Sequence, residues 1–272
     1  MKEFFGFGGY QRPAEGYFSW QHLLFVTSLM IVMVTLAVYF GRRNRHNDDV
    51  TKNKVLIWAA ILIDSFEIFK IVMVCVRSQN PMGWIHDLPL FLCSIQLITI
   101  PLAAFSKGRM KEAALDFVFI FGILGAVLGT YFAGNNYGTY PVISMDNVIS
   151  GITHSISGFA SLYIVISGMH SMKKRNMPIT LGILTTFCVL AYITNHIIDY
   201  NYMFLMRGDG TPYDIIFNIV GGNPVIYPLT VVGLFFLYIL SFYKIFFLVS
   251  SKASKKDASE TEEAHAIEES IA

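Results

Sequence analysis

Seven long apolar segments constrain what this chain can fold into. Each is close to or longer than the ~20 residues that a helix needs to cross the ~30 Å hydrocarbon layer of a bilayer. Backbone groups in lipid are satisfied only in helices or closed barrels, and these segments lack the alternation of barrel strands. The sequence therefore predicts an all-α, polytopic membrane protein, a seven-transmembrane helix bundle with spans at Gln21–Phe40, Lys54–Val76, Trp84–Phe105, Ala114–Gly134, Val148–Met169, Ile179–Asp199 and Gly222–Val249.

Composition excludes two broad classes of protein. Hydrophobic residues make up 54% of the chain and charged residues 14%, whereas soluble domains average about 25% charged residues. The net charge of +1 leaves no basic patch to neutralise phosphates, which argues against nucleic-acid binding. The first apolar run, Leu23–Phe40, is too long for the core of a signal peptide, so we expect it to be retained as a helix.

The basic residues are sorted by connection, and this sorting predicts the orientation. Cytoplasmic loops are enriched in lysine and arginine, so the odd-numbered connections should be cytoplasmic and the N-terminus outside. We expect one transmembrane domain, residues 1–249, followed by a disordered cytoplasmic tail, residues 250–272. The odd connections carry Arg42, Arg43, Arg45, Lys52, Lys54, Lys107, Arg109, Lys111, Lys173, Lys174 and Arg175, and the even ones carry only Arg77 and Arg207.

Polar residues inside the predicted spans are candidates for function, because ionisable groups are costly at membrane depth. A rise of about 1.5 Å per residue places most of them in the outer half of the bundle, which predicts a cavity open to the outer leaflet. In the second span Asp64, Glu67 and Lys70 recur every three residues on one helical face. The other candidates are His22 in the first span, His86 and Cys93 on one face of the third, His154 in the fifth, and Asn195, His196 and Asn201 at the end of the sixth.

Cys93 and His154 form the most reactive combination among these candidates. A cysteine attacks an ester as the thiolate, and a neighbouring histidine can take the thiol proton. His86 is a weaker partner because it lies about 10 Å further out along the same predicted helix. Asn195 or His196 could orient the base or stabilise an oxyanion. The three cysteines, Cys75, Cys93 and Cys188, give no disulfide framework and no metal-ligand spacing, and we predict neither a metal nor an organic cofactor.

Each candidate also has a purely structural interpretation. Cys93 could be a small packing residue, and His154 a hydrogen-bond partner between helices. The Asp64–Glu67–Lys70 face could be a neutralised pair that joins two helices, and His22 and His196 could be interfacial polar groups. Gly122, Gly125 and Gly129 in the fourth span fit close packing of helices.

Several short motifs resemble YwaF-type bacterial membrane proteins, which are similar to the animal transmembrane protein 164 family. The resemblance spans about residues 15 to 245 and is most specific in the LPL-x-LC and NYMFL boxes. The motifs are Phe18-Ser19-Trp20-Gln21-His22, Asp87-Leu88-Pro89-Leu90-Phe91-Leu92-Cys93, Ile152-Thr153-His154, Asn195, Asn201-Tyr202-Met203-Phe204-Leu205, Gly222-Asn223-Pro224 and Tyr227-Pro228.

The resemblance implies a multi-pass protein of the bacterial plasma membrane that acts on membrane phospholipids. It implies transfer of acyl chains between phospholipids, with Cys93 at the active centre and His154 as the histidine of the fifth helix. Asn195 and Asn201 match the polar positions around the NYMFL box. The chain departs from the bacterial pattern at Phe91, where a histidine is expected, and His86 would be its nearest substitute.

Three functions are compatible with the sequence. The first is a lipid acyltransferase that works through a cysteine acyl-enzyme. The second is a seven-helix transporter or small-molecule receptor in which Asp64, Glu67 and Lys70 line a path through the membrane; no inverted repeat supports it. The third is a membrane scaffold protein. The sequence does not define an oligomeric state.

Overall fold

A computed structural model describes the backbone of residues 2–271 and the side chains as far as residue 251. Every regular element in this part of the chain is a helix, which confirms the all-α prediction. Three short 3-10 turns lie at Gly83–Asp87, Lys174–Asn176 and Tyr202–Phe204. The α-helices are α1 (Trp20–Asn44), α2 (Asp49–Ser78), α3 (Gln96–Phe105), α4 (Gly108–Tyr131), α5 (Gly134–Thr139), α6 (Met145–Ile166), α7 (Met177–Ile198), α8 (Tyr213–Ile219) and α9 (Ile226–Ile271).

Five helices of the described chain are long and apolar enough to cross a membrane. They lie within Trp20–Asn44, Gly108–Thr139, Met145–Ile166, Lys174–Ile198 and Ile226–Ser251. Helix α2 has 30 residues and is about 45 Å long, but Asp64, Glu67 and Lys70 interrupt its apolar surface. The count of seven spans and the orientation of the termini therefore stay predictions.

The third predicted span, Trp84–Phe105, is not one helix. It consists of the 3-10 turn Gly83–Asp87, an unwound segment of residues 88–95 and the ten-residue helix α3. The prediction that His86 and Cys93 lie two turns apart on one helical face is therefore wrong. The run is apolar throughout, but hydropathy does not report backbone conformation.

Helix α4 lies at the centre of the bundle and makes its most extensive contact with α6. The two backbones approach closely at Gly122, where an added Cβ would lie 2.6 Å from the carbonyl oxygen of Ser157. The Ser161 hydroxyl donates to the carbonyl of Phe119 at 2.8 Å across the same interface. Small residues allow this approach in membrane proteins, so the packing interpretation is confirmed at Gly122.

The three basic connections gather at one end of the bundle, here called the lower end. Lys111 Nζ donates to Asn53 Oδ1 at 2.8 Å, and Arg109 donates to the carbonyl of Arg175 at 2.8 Å. These contacts join the starts of α2, α4 and α7. The basic residues of the first, third and fifth connections therefore lie at the same end of the bundle.

The opposite end, here called the upper end, carries residues 2–19. Arg77 at the end of α2 forms an ion pair with Asp146 at the start of α6, with N–O distances of 2.6 and 3.0 Å. Tyr10 donates to the same carboxylate at 2.5 Å. Burial and this hydrogen bond raise the pKa of the Tyr10 hydroxyl to about 12, so it stays a donor at physiological pH. The N-terminal segment is thereby anchored over the end of α2 and the start of α6.

The predicted disordered tail, residues 250–272, falls almost wholly beyond residue 251. It lies outside the part of the chain whose side chains are described and stays a prediction.

Candidate active site

The unwound segment 88–95 crosses the core of the bundle next to α4. Its start follows from Pro89, which has no N–H and disfavours helical geometry in the preceding residue. Leu88 accordingly is extended, with φ −60° and ψ 145°. The Ser94 hydroxyl stabilises the turn that follows by accepting from the N–H of Phe91 and donating to its carbonyl, both at 3.0 Å. Irregular backbone at membrane depth occurs where it is buried in protein or lines a cavity, so this segment is a natural place for a site.

Helix α4 brings Cys93 and His154 together. Gly125 and Gly129 lie one turn apart on the same face of α4. A Cβ on Gly125 would contact Cys93 at 3.6 Å, and a Cβ on Gly129 would overlap the imidazole of His154. The two glycines therefore form a cradle for the cysteine and the histidine, which come from the unwound segment and from α6.

The imidazole of His154 is oriented as a proton acceptor. Its Nδ1 lies 2.7 Å from the carbonyl oxygen of Ser150, which can only accept, so Nδ1 carries the proton and Nε2 has a free lone pair. Nε2 is buried and has no hydrogen bond of standard geometry in the described chain. Cys93 lies against the same face of α4, one turn from His154. Hydrogen bonds between catalytic groups are often poorly aligned before substrate binds.

Unpaired backbone donors lie beside Cys93. In the described chain, the N–H groups of Leu92, Cys93 and Ser94 have no hydrogen-bond acceptor. Those of Cys93 and Ser94 lie close to the sulfur. They immediately precede the N-cap of α3, Ile95, and the dipole of that helix favours negative charge near its N-terminus. The arrangement can therefore stabilise a thiolate.

Residues 17–248 match the sequence profile of the TMEM164 family. The chain belongs to the TMEM164 family. This membership confirms the resemblance to the transmembrane protein 164 family, whereas the narrower YwaF assignment stays a prediction. Neither a curated protein nor a solved structure matches the chain significantly. Together with its five apolar helices, the family identifies a multi-pass membrane protein.

In this TMEM164-family chain a single lysine on the charged face of α2 contacts two carboxyl groups. Lys70 Nζ lies 2.5 Å from Glu67 and 3.2 Å from Asp87. The second contact ties α2 to the residue that precedes the unwound segment. Asp64 makes no ion pair among the described residues. The arrangement resembles the structural interpretation of this face more than an open path for ions.

The side-chain amides of Asn195 and Asn201 stabilise a turn. Asn195 Oδ1 accepts from the N–H of Tyr202 at 2.7 Å, and its Nδ2 donates to the Tyr202 carbonyl at 3.0 Å. Asn201 Nδ2 donates to the Arg207 carbonyl at 2.8 Å, and its Oδ1 accepts from the N–H of Met206 at 2.9 Å. Both amides are therefore occupied within residues 195–209.

The other candidate histidines contact residues other than Cys93 and His154. His86 packs beside Tyr200, with ring centroids 4.9 Å apart. His196 bonds to the carbonyl of Tyr192 on its own helix. His22 is fully buried and joins the start of α1 to α4, because Nε2 donates to the Thr130 carbonyl at 3.0 Å and Nδ1 accepts from the N–H of Phe18 at 3.1 Å.

Phe91, which occupies the position where the bacterial pattern has a histidine, lies in an aromatic cluster. Its ring centroid is 5.0 Å from that of Tyr202 and 6.2 Å from that of Tyr200. The residue thus fastens the unwound segment to the turn that contains the NYMFL box.

Two structural features were not among the sequence-based candidates. One is Tyr202, whose hydroxyl reaches the unwound segment. The other is Asp116, a fully buried carboxylate near the lower end that is 2.7 Å from His170 Nε2 and 2.7 Å from the hydroxyl of Tyr243. Asp116 lies inside the predicted span Ala114–Gly134, so an ionisable residue at membrane depth was a signal for it. No group of three or more metal-binding side chains occurs among the described residues.

Proposed function

We propose that the chain is a membrane-embedded acyltransferase that moves acyl chains between phospholipids through a thioester on Cys93. The observation that carries the proposal is the cradle on α4, which places Cys93 and the unpartnered Nε2 of His154 one turn apart on the same face of that helix. Family membership supports the same reaction, since it is the one that the resemblance implies. The unpartnered N–H groups of residues 92–94, which precede α3, supply electrostatic stabilisation of the kind that acyl transfer requires.

In the first half of the reaction, the Cys93 thiol gives its proton to Nε2 of His154. The sulfur attacks the carbonyl carbon of a phospholipid ester. The tetrahedral intermediate collapses with cleavage of the ester C–O bond, and His154 returns the proton to the departing lysophospholipid oxygen. The acyl chain is then bound to Cys93 as a thioester.

In the second half, His154 takes the proton from the hydroxyl of another lysophospholipid. The oxygen attacks the thioester carbon, the C–S bond breaks, and the proton returns to the sulfur. The atoms balance with no oxidant, reductant or further reactant. Backbone N–H groups of residues 92–94 stabilise the negative charge that develops on sulfur and on the carbonyl oxygen.

The position of the cysteine along the bundle suits an ester near the membrane interface. Counted along a continuous helix from Trp84, Cys93 would lie about 14 Å deep. Because residues 88–95 are unwound, the depth of Cys93 is better measured along α4. Gly125, which contacts Cys93, is six residues or about 9 Å from the end of α4 at Tyr131. A depth of about 9 Å is closer to the glycerol region of a phospholipid than the depth of about 14 Å counted along a continuous helix.

The test is acyl exchange by purified protein in nanodiscs containing labelled phospholipid and lysophospholipid. We expect Cys93→Ala to reduce exchange to background and His154→Ala to slow it about 10²- to 10⁴-fold, because general-base catalysis contributes that much. Cys75→Ala serves as the matched control and should exchange like the wild type. A labelled acyl group should be found on Cys93 by peptide mass spectrometry. Wild-type protein with no exchange over a broad panel of lipids would overturn the proposal.

We further propose seven crossings of the bacterial plasma membrane, with the upper end outside and the lower end cytoplasmic. The concentration of basic residues at the lower end supports this orientation, and α2 and the segment from Trp84 to Phe105 would complete the seven crossings. An impermeant thiol reagent applied to intact cells should label Asn80→Cys but neither His46→Cys nor Lys107→Cys. These positions flank α2 and the third segment. Labelling of His46→Cys together with Asn80→Cys would show that α2 does not cross.

A further inference from the structure

The two motifs that carry the family resemblance are in direct contact. The hydroxyl of Tyr202, in the NYMFL box, donates to the carbonyl of Ile85 at 2.6 Å and accepts from the N–H of Leu88 at 3.2 Å. It therefore bridges the last turn before the break to the first residue after it. The Tyr202 ring also packs on Phe91, two residues before the cysteine.

Tyr202 is itself held firmly. Both its backbone N–H and its carbonyl are bonded to the side chain of Asn195 on α7, and both residues are buried. The following residue, Met203, has φ 56°, a left-handed conformation that side chains other than glycine rarely adopt. Such a conformation persists where its surroundings over-determine it, and here the Asn195 amide does so.

The unwound segment has few other fixed points. Pro89 has no N–H, and three consecutive N–H groups, those of residues 92–94, make no hydrogen bond in the described chain. The hydrogen bonds of the Tyr202 hydroxyl and the Lys70–Asp87 ion pair hold its start. Burial raises the pKa of the Tyr202 phenol to about 12, so the hydroxyl keeps the proton that it donates to Ile85.

We propose that Tyr202 is a positioning residue whose hydroxyl, held by Asn195, fixes the unwound segment so that Cys93 lies against His154. The catalytic consequence rests on the proposed acyl transfer, whereas the positioning itself does not need a lipid substrate. A loss of about 1 Å in alignment can slow a reaction by about 10²-fold. One hydrogen-bonding oxygen far from the reacting atoms can therefore control the reactivity of the thiol.

The test uses Tyr202→Phe, which keeps the ring and removes the hydroxyl. Cys93 is partly exposed, so its alkylation by a small maleimide can be timed in folded protein by peptide mass spectrometry. Cys75 and Cys188 in the same protein are internal references. We expect alkylation of Cys93 to slow about 10- to 100-fold, with Cys75 unchanged. Tyr200→Phe is the matched control, because the Tyr200 hydroxyl makes no hydrogen bond among the described residues, and it should react like the wild type.

Combination with His154→Ala separates positioning from a general loss of stability. If Tyr202 acts through the cysteine–histidine contact, Tyr202→Phe/His154→Ala should react no more slowly than His154→Ala alone. Unchanged Cys93 reactivity with a lowered melting temperature would overturn the proposal, as would an increase in reactivity that does not depend on His154. If Tyr202→Phe slows alkylation of Cys93 only when His154 is present, but the wild type exchanges no lipid, the proposed function would be overturned and the positioning role would be retained.

Discussion

Replacing Gly129 by alanine should slow acyl exchange by about 100-fold or more, because the misplacement of a reacting group by about 1 Å has an effect of that size. The added Cβ would overlap Cδ2 and Nε2 of His154. The ring cannot move aside without losing the 2.7 Å bond from Nδ1 to the Ser150 carbonyl. In the proposed reaction Nε2 accepts the thiol proton, so the substitution would displace the proposed base itself. The cost in stability should be about 1–3 kcal/mol, as for other overpacked sites.

The neighbouring glycines supply the controls. A Cβ on Gly125 would meet Cys93 at 3.6 Å, an ordinary contact, so Gly125→Ala should cause a much smaller loss than Gly129→Ala. Gly182 in α7 has open space around it, and Gly182→Ala should exchange like the wild type. Exchange rates and thermal unfolding would be measured for all three variants. Full exchange by Gly129→Ala would show that His154 does not act from the position that α4 gives it.

The sequence predicted the long helices well because their signal is local. The predicted span Gln21–Phe40 corresponds to α1 (Trp20–Asn44), and Val148–Met169 corresponds to α6 (Met145–Ile166). Apolar runs of that length have few alternatives in lipid. The break in the third span was also signalled locally, by Pro89, but its consequence was not recognised, since the apolar run continues on both sides of it.

The candidate site was predicted less completely because it depends on contacts between distant segments. Cys93 and His154 were paired on chemical grounds, and the structure brings them together. Gly125 and Gly129 were interpreted as packing residues only, although what they pack against is the proposed pair. The role of Asn195 as the holder of Tyr202 depends on a turn with left-handed residues, which periodicity does not reveal.

Removing His170 should destabilise the protein by about 1–3 kcal/mol, because it leaves one oxygen of the buried Asp116 carboxyl group without a hydrogen-bond partner. Asp116 is fully buried in α4, and its two oxygens are each bonded to one group, His170 Nε2 and the Tyr243 hydroxyl, both at 2.7 Å. Tyr243 is also 3.1 Å from the Thr180 hydroxyl. The network therefore joins α4, α7 and α9 near the lower end, about 12 Å from the start of α4, far from the cysteine.

The order of thermal stability among three variants distinguishes a buried charge that His170 compensates from a simple packing contact. His170→Ala should be the least stable in thermal unfolding, since it leaves the carboxylate buried with one partner. Asp116→Asn keeps an acceptor for Tyr243 and removes the charge, so we expect a smaller loss. Asp116→Asn/His170→Ala should then be more stable than His170→Ala alone, whereas two independent packing losses would add. His46→Ala, a change at an exposed histidine in the connection between α1 and α2, should leave stability unchanged.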